Sequence, residues 1–380
     1  MILDSDMTDE KKILLLLSHP FFTENQRTGI ESILSKNSMI RLKEIHSLAI
    51  ANGVAGFVFK NSQDLNIFPD PIHHNLHKAY KQTALNNILI LRETLIILKL
   101  LSDKEIVSIP LKGATASDLL FQDFGVYPSG DIDILVHPSQ LSNAKKILCS
   151  QGGFSQIQEI SEQNLLSNHY HLIFRKDNMV LEVHWNLVKR YFSVPADFWW
   201  QETKGFEWNG INTFELSIEK YILYNIFRLF DHCFYPLRFF TLLGGIIDKN
   251  ENSINWNELI DSASRYKMKK LVIFTLRLLK DMFNTNIPEN LIQIKYFGYN
   301  YFKALIFSGI FSGIKKKHLR MMFYTVLLVE SKTVFNILFG RIFPSQGELR
   351  LRYNIPPKSN KIYIYYIFNP FLLLFKKTNT

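Results

Sequence analysis

Two segments decide the fold of this chain: Leu111-Lys112-Gly113-Ala114 and Gly130-Asp131-Ile132-Asp133-Ile134-Leu135-Val136. The second segment predicts a buried strand, because it is a run of Ile, Leu and Val that follows a turn. Side chains alternate between the two faces of a strand, so Asp131 and Asp133 share one face while the isoleucines after them point into a core. Two carboxylates at one end of an apolar strand suit a hard cation such as Mg²⁺.

The first segment predicts a phosphate-binding turn. A short strand over residues 106–111 leads into Lys112-Gly113, and a helix follows directly. A helix N-terminus offers backbone N–H groups to anions, and a glycine lets the backbone approach a ligand closely. Lys112 is either a point charge for phosphate or an ordinary strand-end lysine. Ser129 and Gly130, in the turn before the aspartates, complete the predicted phosphate-binding set.

A β-hairpin is predicted further along the chain. Residues 169–175 and 179–185 are two strand-like segments, with Asp177-Asn178 between them as turn residues. A two-residue turn fixes the register, and therefore decides which side chains share a face. One face then carries the polar side chains of His169, His171, Arg175, Glu182 and His184.

Glu182 is the best candidate for a third carboxylate. An acidic group among large apolar side chains is unfavourable without a partner, so Glu182 needs a metal ion or Arg175 beside it. His184, two residues later on the same face, either binds phosphate, orients a carboxylate or is a hydrogen-bonded structural histidine. The sequence thus predicts Asp131, Asp133 and Glu182 as catalytic and metal-binding residues.

The composition is that of a folded protein without a disulfide framework. The chain has 380 residues, of which 47% are hydrophobic, so a large core can form. Two cysteines make neither a disulfide pattern nor a clustered zinc site, which indicates a reducing, cytoplasmic location. The acidic N-terminus does not resemble a signal peptide, and no apolar run approaches the roughly 18 residues of a membrane span.

The positive charge is concentrated at the C-terminal end. Residues 1–314 carry 32 basic and 32 acidic side chains, whereas residues 315–380 carry 12 basic and 2 acidic ones. The last residues are also rich in Tyr and Phe. This basic aromatic segment fits peripheral contact with an anionic membrane, contact with RNA, or a buried closing segment, and the sequence leaves these three open.

Hydrophobic periodicity predicts an α+β fold in which a small mixed β-sheet core is flanked by large helical regions. The predicted divisions are an N-terminal helical region over 1–104, the α/β core over 105–213, a C-terminal helical region over 214–340 and the basic aromatic tail over 341–380. Within the first region, residues 74–102 form one long amphipathic helix, and its predicted buried side chains are Ala84, Ile88, Leu91, Leu95, Ile96 and Leu98.

These motifs resemble the polymerase-β-like nucleotidyltransferase superfamily, and more closely the bacterial nucleotidyltransferase family proteins. Their pattern of Leu-Lys-Gly, Gly-Asp-Ile-Asp-Leu-Leu-Val and Glu-x-His-Trp is similar to Leu111–Gly113, Gly130–Val136 and Glu182–Trp185. The superfamily's usual phosphate element is Gly-Ser or Gly-Gly, nearer to the aspartates than the Lys-Gly-Ala of this chain. A similar Lys-Gly-x-Thr-Ala precedes the aspartates in abortive-infection toxin nucleotidyltransferases.

The resemblance implies an enzyme that moves a nucleoside monophosphate from an NTP such as ATP to an acceptor. Asp131, Asp133 and Glu182 would hold Mg²⁺ or Mn²⁺, and Lys112, Gly113, Ser129, Gly130 and His184 would face the nucleotide. The acceptor is a small molecule, a sugar, a protein or an RNA, and the family's gene neighbourhoods favour surface-polysaccharide or natural-product biosynthesis. The alternatives are a toxin-like enzyme acting on tRNA and a non-catalytic nucleotide-binding protein.

Overall fold

The computed structural model describes residues 7–157, 170–189, 192–293, 298–313, 317–344, 346–353, 355–356 and 359–375. Helices joined by short connections precede the sheet, as the sequence predicts. They are α1 (Asp9–Leu17), α2 (Glu24–Lys36), α3 (Leu42–Ala51), α4 (Ala55–Ser62) and α5 (Asp70–Ser102). The long helix α5 begins earlier than predicted, because Pro71 occupies its first turn, where its missing N–H leaves no hydrogen bond unmade.

The predicted small mixed sheet is confirmed. Its strands are β1 (Ser108–Pro110), β2 (Ile132–Val136), β3 (Ser155–Gln156), β4 (His171–Lys176) and β5 (Met179–His184). Their order is β1-β2-β5-β4-β3, in which β2 and β5 are parallel and the other neighbours antiparallel. Between β1 and β2 lie α6 (Ala114–Ala116) and a π-helical turn (Ser117–Phe121), and α7 (Leu141–Ser150) follows β2.

The two faces of β2 belong to different cores. Ile132, Ile134 and Val136 pack with buried side chains of α5 and α7, whereas Leu135 packs with the helical region. Fully burying an aliphatic side chain of this size contributes roughly 1.5–3 kcal/mol. Because Asp133 shares the face of Leu135, the carboxylates point towards the helices that follow the sheet.

The hairpin of β4 and β5 has the predicted two-residue turn. Lys176 pairs with Met179 across Asp177-Asn178. As a result His171, Glu182 and His184 share one face, as predicted. Arg175 is on the same face but is exposed and pairs with Val180, nearer the turn. His169 lies outside the described residues.

A second hairpin was not predicted. It follows α8 (Ala196–Trp200) and consists of β6 (Lys204–Trp208) and β7 (Ile211–Glu215). Its turn is Asn209-Gly210, and both residues have positive φ, at 51° and 78°. A turn of this type needs φ > 0 at both positions, which Asn-Gly supplies at little cost. The dipeptide was therefore a readable signal for this hairpin.

The predicted orientation of α5 is partly wrong. Leu98 is buried, but Ile88 and Ile96 are exposed, at 49% and 45%. Apolar residues occur on both sides of this helix, so the periodicity could not identify the packed side. The side that packs carries Asn87, Ile90, Thr94, Ile97, Leu98 and Leu101. Asn87 lies on this packed side, although hydropathy alone would place a polar residue outside a core.

Helices return after the second hairpin, as predicted. They are α9 (Ile218–Asp231), α10 (Arg238–Lys249), α11 (Trp256–Arg265), α12 (Lys269–Phe283), α13 (Glu289–Ile292), α14 (Tyr299–Ser312), α15 (Lys317–Leu328), α16 (Ser331–Ile342), α17 (Gln346–Tyr353) and α18 (Lys361–Phe375). The predicted tail thus contains two helices in its described part. No helix among the described residues is long and apolar enough to cross a membrane. The predicted domain divisions stay predictions.

Candidate active site

Three carboxylates meet where the parallel strands β2 and β5 lie side by side. Asp133 and Glu182 are direct neighbours in the register of these strands, and Asp131 immediately precedes β2. One oxygen from each of the three carboxylates lies within 4.8 Å of the others. Asp133 is buried, while Asp131 and Glu182 are half-buried, so the cluster opens to solvent on the side of the latter two.

Two cationic side chains surround the buried carboxylate. Nζ of Lys112 lies 2.8 Å from Oδ2 of Asp133 and 3.7 Å from Oδ2 of Asp131. Nε2 of His184 donates to Oδ1 of Asp133 at 3.0 Å and lies 3.4 Å from Oε2 of Glu182. Among the described side chains, the partner of Glu182 is therefore His184 and not Arg175, while the other predicted partner, a metal ion, stays a prediction. Like-charge repulsion among three carboxylates is relieved by these two contacts.

The surroundings separate the pKa values of these groups. Burial raises the pKa of Asp133, but Lys112 and His184 outweigh burial and hold that pKa well below its usual value. Burial likewise raises the pKa of Glu182, and the hydrogen bond from His184 reverses the shift. For Asp131, burial and the neighbouring Asp133 raise the pKa, and Lys112 only partly compensates. Asp133 and Glu182 are ionised at neutral pH, whereas the charge on Asp131 is disfavoured.

The carboxylate cluster fits a divalent cation. Oδ2 of Asp133 is fully buried and receives no aligned hydrogen bond from the described residues, although the Lys112 ammonium is close. His171, Glu182 and His184 also lie close enough together to hold a metal. However, Asp133 and Glu182 outweigh burial and raise the pKa of His184, and a metal-ligating histidine must be deprotonated. The oxygen-only cluster is the better match, and it suits a hard cation.

A buried asparagine fixes the loop that precedes the aspartates. Nδ2 of Asn87 donates to the carbonyl oxygens of Phe124 and Tyr127, both at 2.7 Å, and Oδ1 accepts the backbone N–H of Ser129 at 3.2 Å. One side chain of α5 thereby satisfies three backbone groups of a loop, and its own burial is fully compensated. Sequence reasoning missed this residue. Its signal was a polar position within the apolar periodicity of α5.

Gly113 and Ser129 pack against each other beside the carboxylates. Gly113 has φ 69° and ψ −125°, a conformation accessible mainly to glycine. A Cβ at this position would lie 2.3 Å from Oγ of Ser129, and that hydroxyl donates to the carbonyl oxygen of Asp131 at 3.1 Å. Gly130 differs, because it is exposed and a Cβ there would have no atom within 4 Å. The turn residues predicted to bind phosphate thus lie together, and only Gly113 is required by the fold.

We expect Gly113→Ala to lower the free energy of unfolding by about 1–3 kcal/mol, the usual cost of forcing atoms into a packed site. Gly130→Ala is the matched control, and its melting temperature should equal that of the wild type. The double variant Gly113→Ala/Ser129→Ala removes the closest contact but keeps the backbone strain, so it should recover only part of the loss. Equal melting temperatures for Gly113→Ala and Gly130→Ala would contradict this account.

Helix α9 places a second set of polar side chains over the carboxylates. Tyr221, Tyr224 and Arg228 lie on one face of α9, and the Tyr221 hydroxyl donates to the carbonyl oxygen of Leu111 at 2.7 Å. Burial raises the pKa of Tyr224 well above its usual value, and the carboxylate of Asp133 adds to the shift. This face of α9 is therefore close enough to the carboxylates for their charge to affect its side chains electrostatically.

Arg228 is the cation of this second set. Its guanidinium lies 3.9 Å from the ring centroid of Phe239, and Nη1 donates to the Tyr127 hydroxyl at 3.5 Å. Burial alone would lower the pKa of Arg228, but Tyr127, Tyr224 and Asp133 raise it above its usual value. The charge of Arg228 is also among those that lower the pKa of Asp131. Sequence reasoning missed Arg228, because a single arginine on an apolar helix carries no local signal.

The fold and the site together define a class of protein. Carboxylates on adjacent strands, with a lysine and a glycine turn beside them, are typical of enzymes that use a divalent cation to act on phosphate groups. The chain belongs to a family described as uncharacterised nucleotidyltransferases, whose sequence profile matches residues 38–284, more than half of the chain. Comparison with curated proteins and with solved structures gave no match.

Proposed function

We propose that this enzyme transfers a nucleoside monophosphate from an NTP to a hydroxyl or phosphate oxygen of an acceptor. The observation that carries the proposal is the cluster of Asp131, Asp133 and Glu182, within 4.8 Å of one another on neighbouring strands. Membership of a nucleotidyltransferase family gives the reaction class. The resemblance to the polymerase-β-like superfamily, seen in the quoted motifs, is part of the same proposal.

In this proposal Asp131, Asp133 and Glu182 hold Mg²⁺ or Mn²⁺. The cation would neutralise charge on the triphosphate and orient it for in-line displacement. Because the pKa of Glu182 is lowered, this group is better suited to holding a cation than to accepting a proton from the acceptor. A role for Glu182 as the base that takes the proton of the acceptor is therefore the weaker interpretation.

The remaining site residues are assigned either to the nucleotide or to positioning the carboxylates. Lys112 compensates the aspartates with an ammonium that can turn to phosphate when a cation replaces it. Gly113 and Ser129 keep the backbone beside Asp131 free of bulky side chains, and exposed Gly130 leaves open space in front of it. His184 holds Asp133 and Glu182 in place by its hydrogen bonds.

The reaction balances without a further reactant. The acceptor oxygen forms a bond to the α-phosphorus of the NTP, and the bond from that phosphorus to the oxygen bridging to the β-phosphate breaks. Pyrophosphate leaves, and the acceptor proton passes to solvent or to a nearby base.

Labelled nucleotides test the proposal directly. Each of the four NTPs, labelled with ³²P at either the α- or the γ-phosphate, is incubated with the enzyme, Mg²⁺ and cell extract. We expect α-label in an acceptor and γ-label in pyrophosphate. Sensitivity of the product to ribonuclease, protease or glycosidase then separates RNA, protein and sugar acceptors. Transfer of the γ-label to an acceptor would instead identify a kinase, and absence of any α-labelled product with Mg²⁺ and with Mn²⁺ would reject the proposal.

A further inference from the structure

The exposed apolar side chains of this protein are concentrated in its last helices. Of twenty large hydrophobic residues that are exposed in the described part of the chain, twelve lie between residues 298 and 375. They are Tyr301, Phe323, Val326, Leu327, Phe335, Phe339, Phe343, Tyr363, Ile364, Ile367, Phe368 and Leu372. Soluble monomers rarely expose large contiguous apolar patches, and those that do usually bind something there. We call these twelve residues the C-terminal apolar surface.

Three rings on and just after α16 form a stripe. Phe335 and Phe339 lie one turn apart on one side of the helix, and Phe343 directly follows its last residue. Their ring centroids are 5.8 Å and 5.0 Å apart along the stripe. The opposite side of α16 is buried through Ile337. The stripe is therefore held outward by the packing behind it.

Helix α18 is held in one rotation by Asn369. Its Nδ2 donates to the carbonyl oxygen of Ile342, and its Oδ1 accepts from Arg352 at 3.0 Å and from the Tyr353 hydroxyl at 2.8 Å. With Asn369 and Ile362 buried, the other side of α18 faces outward, and it carries Tyr363, Ile364, Ile367 and Phe368. A polar anchor behind an apolar outer face is the reverse of the pattern of an ordinary surface helix.

The charge of the chain is concentrated in the same segment. Residues 315–380 carry 12 basic and 2 acidic side chains, which equals the whole net charge of +10. The family profile ends at residue 284, before these helices begin. The apolar and basic character thus belongs to a part of the chain outside the region that defines the enzyme.

We propose that the C-terminal apolar surface binds an anionic lipid bilayer, with α16 and α18 lying in the membrane plane. A bilayer accepts aromatic and aliphatic groups alike, and an anionic one attracts the basic charge carried by the same segment of the chain. Nucleic acid offers bases that stack on aromatic rings, but stacking would leave the aliphatic side chains Ile364, Ile367 and Val326 without a binding partner. A second copy of the chain would bring two segments of net charge +10 together, which like-charge repulsion opposes.

Vesicle flotation with the full chain tests this proposal. Vesicles of phosphatidylglycerol and phosphatidylcholine should carry the protein upward, whereas vesicles of phosphatidylcholine alone should carry about tenfold less. The variant Phe339→Ser/Ile367→Ser should weaken binding to the anionic vesicles by about tenfold or more. Leu85→Ser/Leu89→Ser on α5 is the matched control, since these side chains are similarly exposed, at 61% and 53%, against 52% and 68%. The control should bind like the wild type.

The outcomes separate the possible occupants of the surface. Equal melting temperatures of both double variants, with loss of vesicle binding only in Phe339→Ser/Ile367→Ser, support the proposal. No flotation of the wild type with anionic vesicles overturns it, and so does equal loss in the α5 control. A dimer in size-exclusion chromatography that disappears in Phe339→Ser/Ile367→Ser would assign the surface to a second copy. If Phe339→Ser/Ile367→Ser still bound vesicles like the wild type, the C-terminal apolar surface would not be the site of lipid binding.

Discussion

Asp131→Asn and Asp133→Asn should both abolish Mg²⁺-dependent transfer, but they should shift the melting temperature of the metal-free protein in opposite directions. Each variant removes one carboxylate from the proposed cation site while keeping the shape of the side chain. Loss of a group that merely supports a metal ligand costs 10- to 100-fold, so loss of a ligand should reduce turnover by about a hundredfold or more. The stability effects differ because the two carboxylates have different surroundings.

Asp133 is the stabilising carboxylate. It is fully buried between Lys112 and His184, and its pKa is lowered because these cations favour the charged form. The stability that ionised Asp133 contributes to the folded protein is present above the pKa that this group has in the unfolded chain. That stability is lost as pH falls through the lower pKa of the folded state. Asp133→Asn leaves the Lys112 side chain, which is 11% exposed, without its closest anion, and this should cost about 3 kcal/mol.

Asp131 is the strained carboxylate. Burial and the charge of Asp133 raise its pKa, so ionisation of Asp131 destabilises the folded state as pH rises above the unfolded pKa, and this penalty is complete above the raised pKa of the folded state. Asp131→Asn removes this repulsion and should raise the melting temperature of the metal-free protein at neutral pH. Carboxylates that repel each other are brought together at a cation site, and a bound cation relieves their repulsion. Asp131 therefore reduces the stability of the folded protein until a cation binds.

Thermal melting with and without Mg²⁺ checks both effects. Wild type should melt at a higher temperature with Mg²⁺, because a ligand that binds only the folded state stabilises it, and neither variant should show this gain. Asp103→Asn is the control, since Asp103 is exposed and pairs with Lys99, one helical turn away. Destabilisation by Asp131→Asn would contradict the repulsion assigned to Asp131, whereas a Mg²⁺-dependent gain retained in both variants would show that the cluster does not hold a cation.

The sequence was sufficient for the part of the site that depends on local periodicity. A strand has a period of two, so Asp131 and Asp133 had to share a face, and the turn at Asp177-Asn178 then fixed the face of Glu182 and His184. What joined the two halves was the parallel pairing of β2 with β5. That pairing is a tertiary fact that the sequence did not predict, and the family resemblance implied only that the three carboxylates hold one metal.

The parts that sequence reasoning missed depend on packing between distant elements. Asn87 reads as a polar interruption of α5, and only the loop near Ser129 gives it a role. Ile88 and Ile96 read as buried, because two sides of α5 are apolar and periodicity cannot choose between them. The Asn209-Gly210 turn is different, since its signal was local and was available in the sequence.

Arg228→Gln should weaken NTP binding by about 10- to 100-fold, the range expected for losing a hydrogen bond to a charged group. Arg228 is on the face of α9 that lies over the carboxylates, and it makes no ion pair with a described residue. Phe239 supports one face of its guanidinium, and Tyr127 accepts from Nη1. An arginine held in this way presents its remaining N–H groups as a fork for phosphate oxygens.

We expect the remaining guanidinium N–H groups of Arg228 to bind the triphosphate of the NTP. Asp131, Asp133 and Glu182 cannot be the main partners of Arg228, because they already contact Lys112, His184 or each other. A guanidinium beside a cation-binding cluster would compensate the charge that a leaving pyrophosphate carries away from the cluster. Arg228→Gln should therefore also weaken inhibition by pyrophosphate, and Arg228→Lys should restore only part of either effect, since a lysine lacks the fork.

Arg277→Gln provides a control matched in packing. Arg277 is half-buried like Arg228, and its guanidinium lies 4.0 Å from the Tyr299 ring centroid, against 3.9 Å for Arg228 and Phe239. It belongs to α12, which contributes no side chain to the carboxylate cluster. Both variants should lose similar stability in thermal melting, because both lose a cation–π contact. Only Arg228→Gln should raise the dissociation constant for NTP in equilibrium titration, and an equal change in Arg277→Gln would reduce Arg228 to a packing residue.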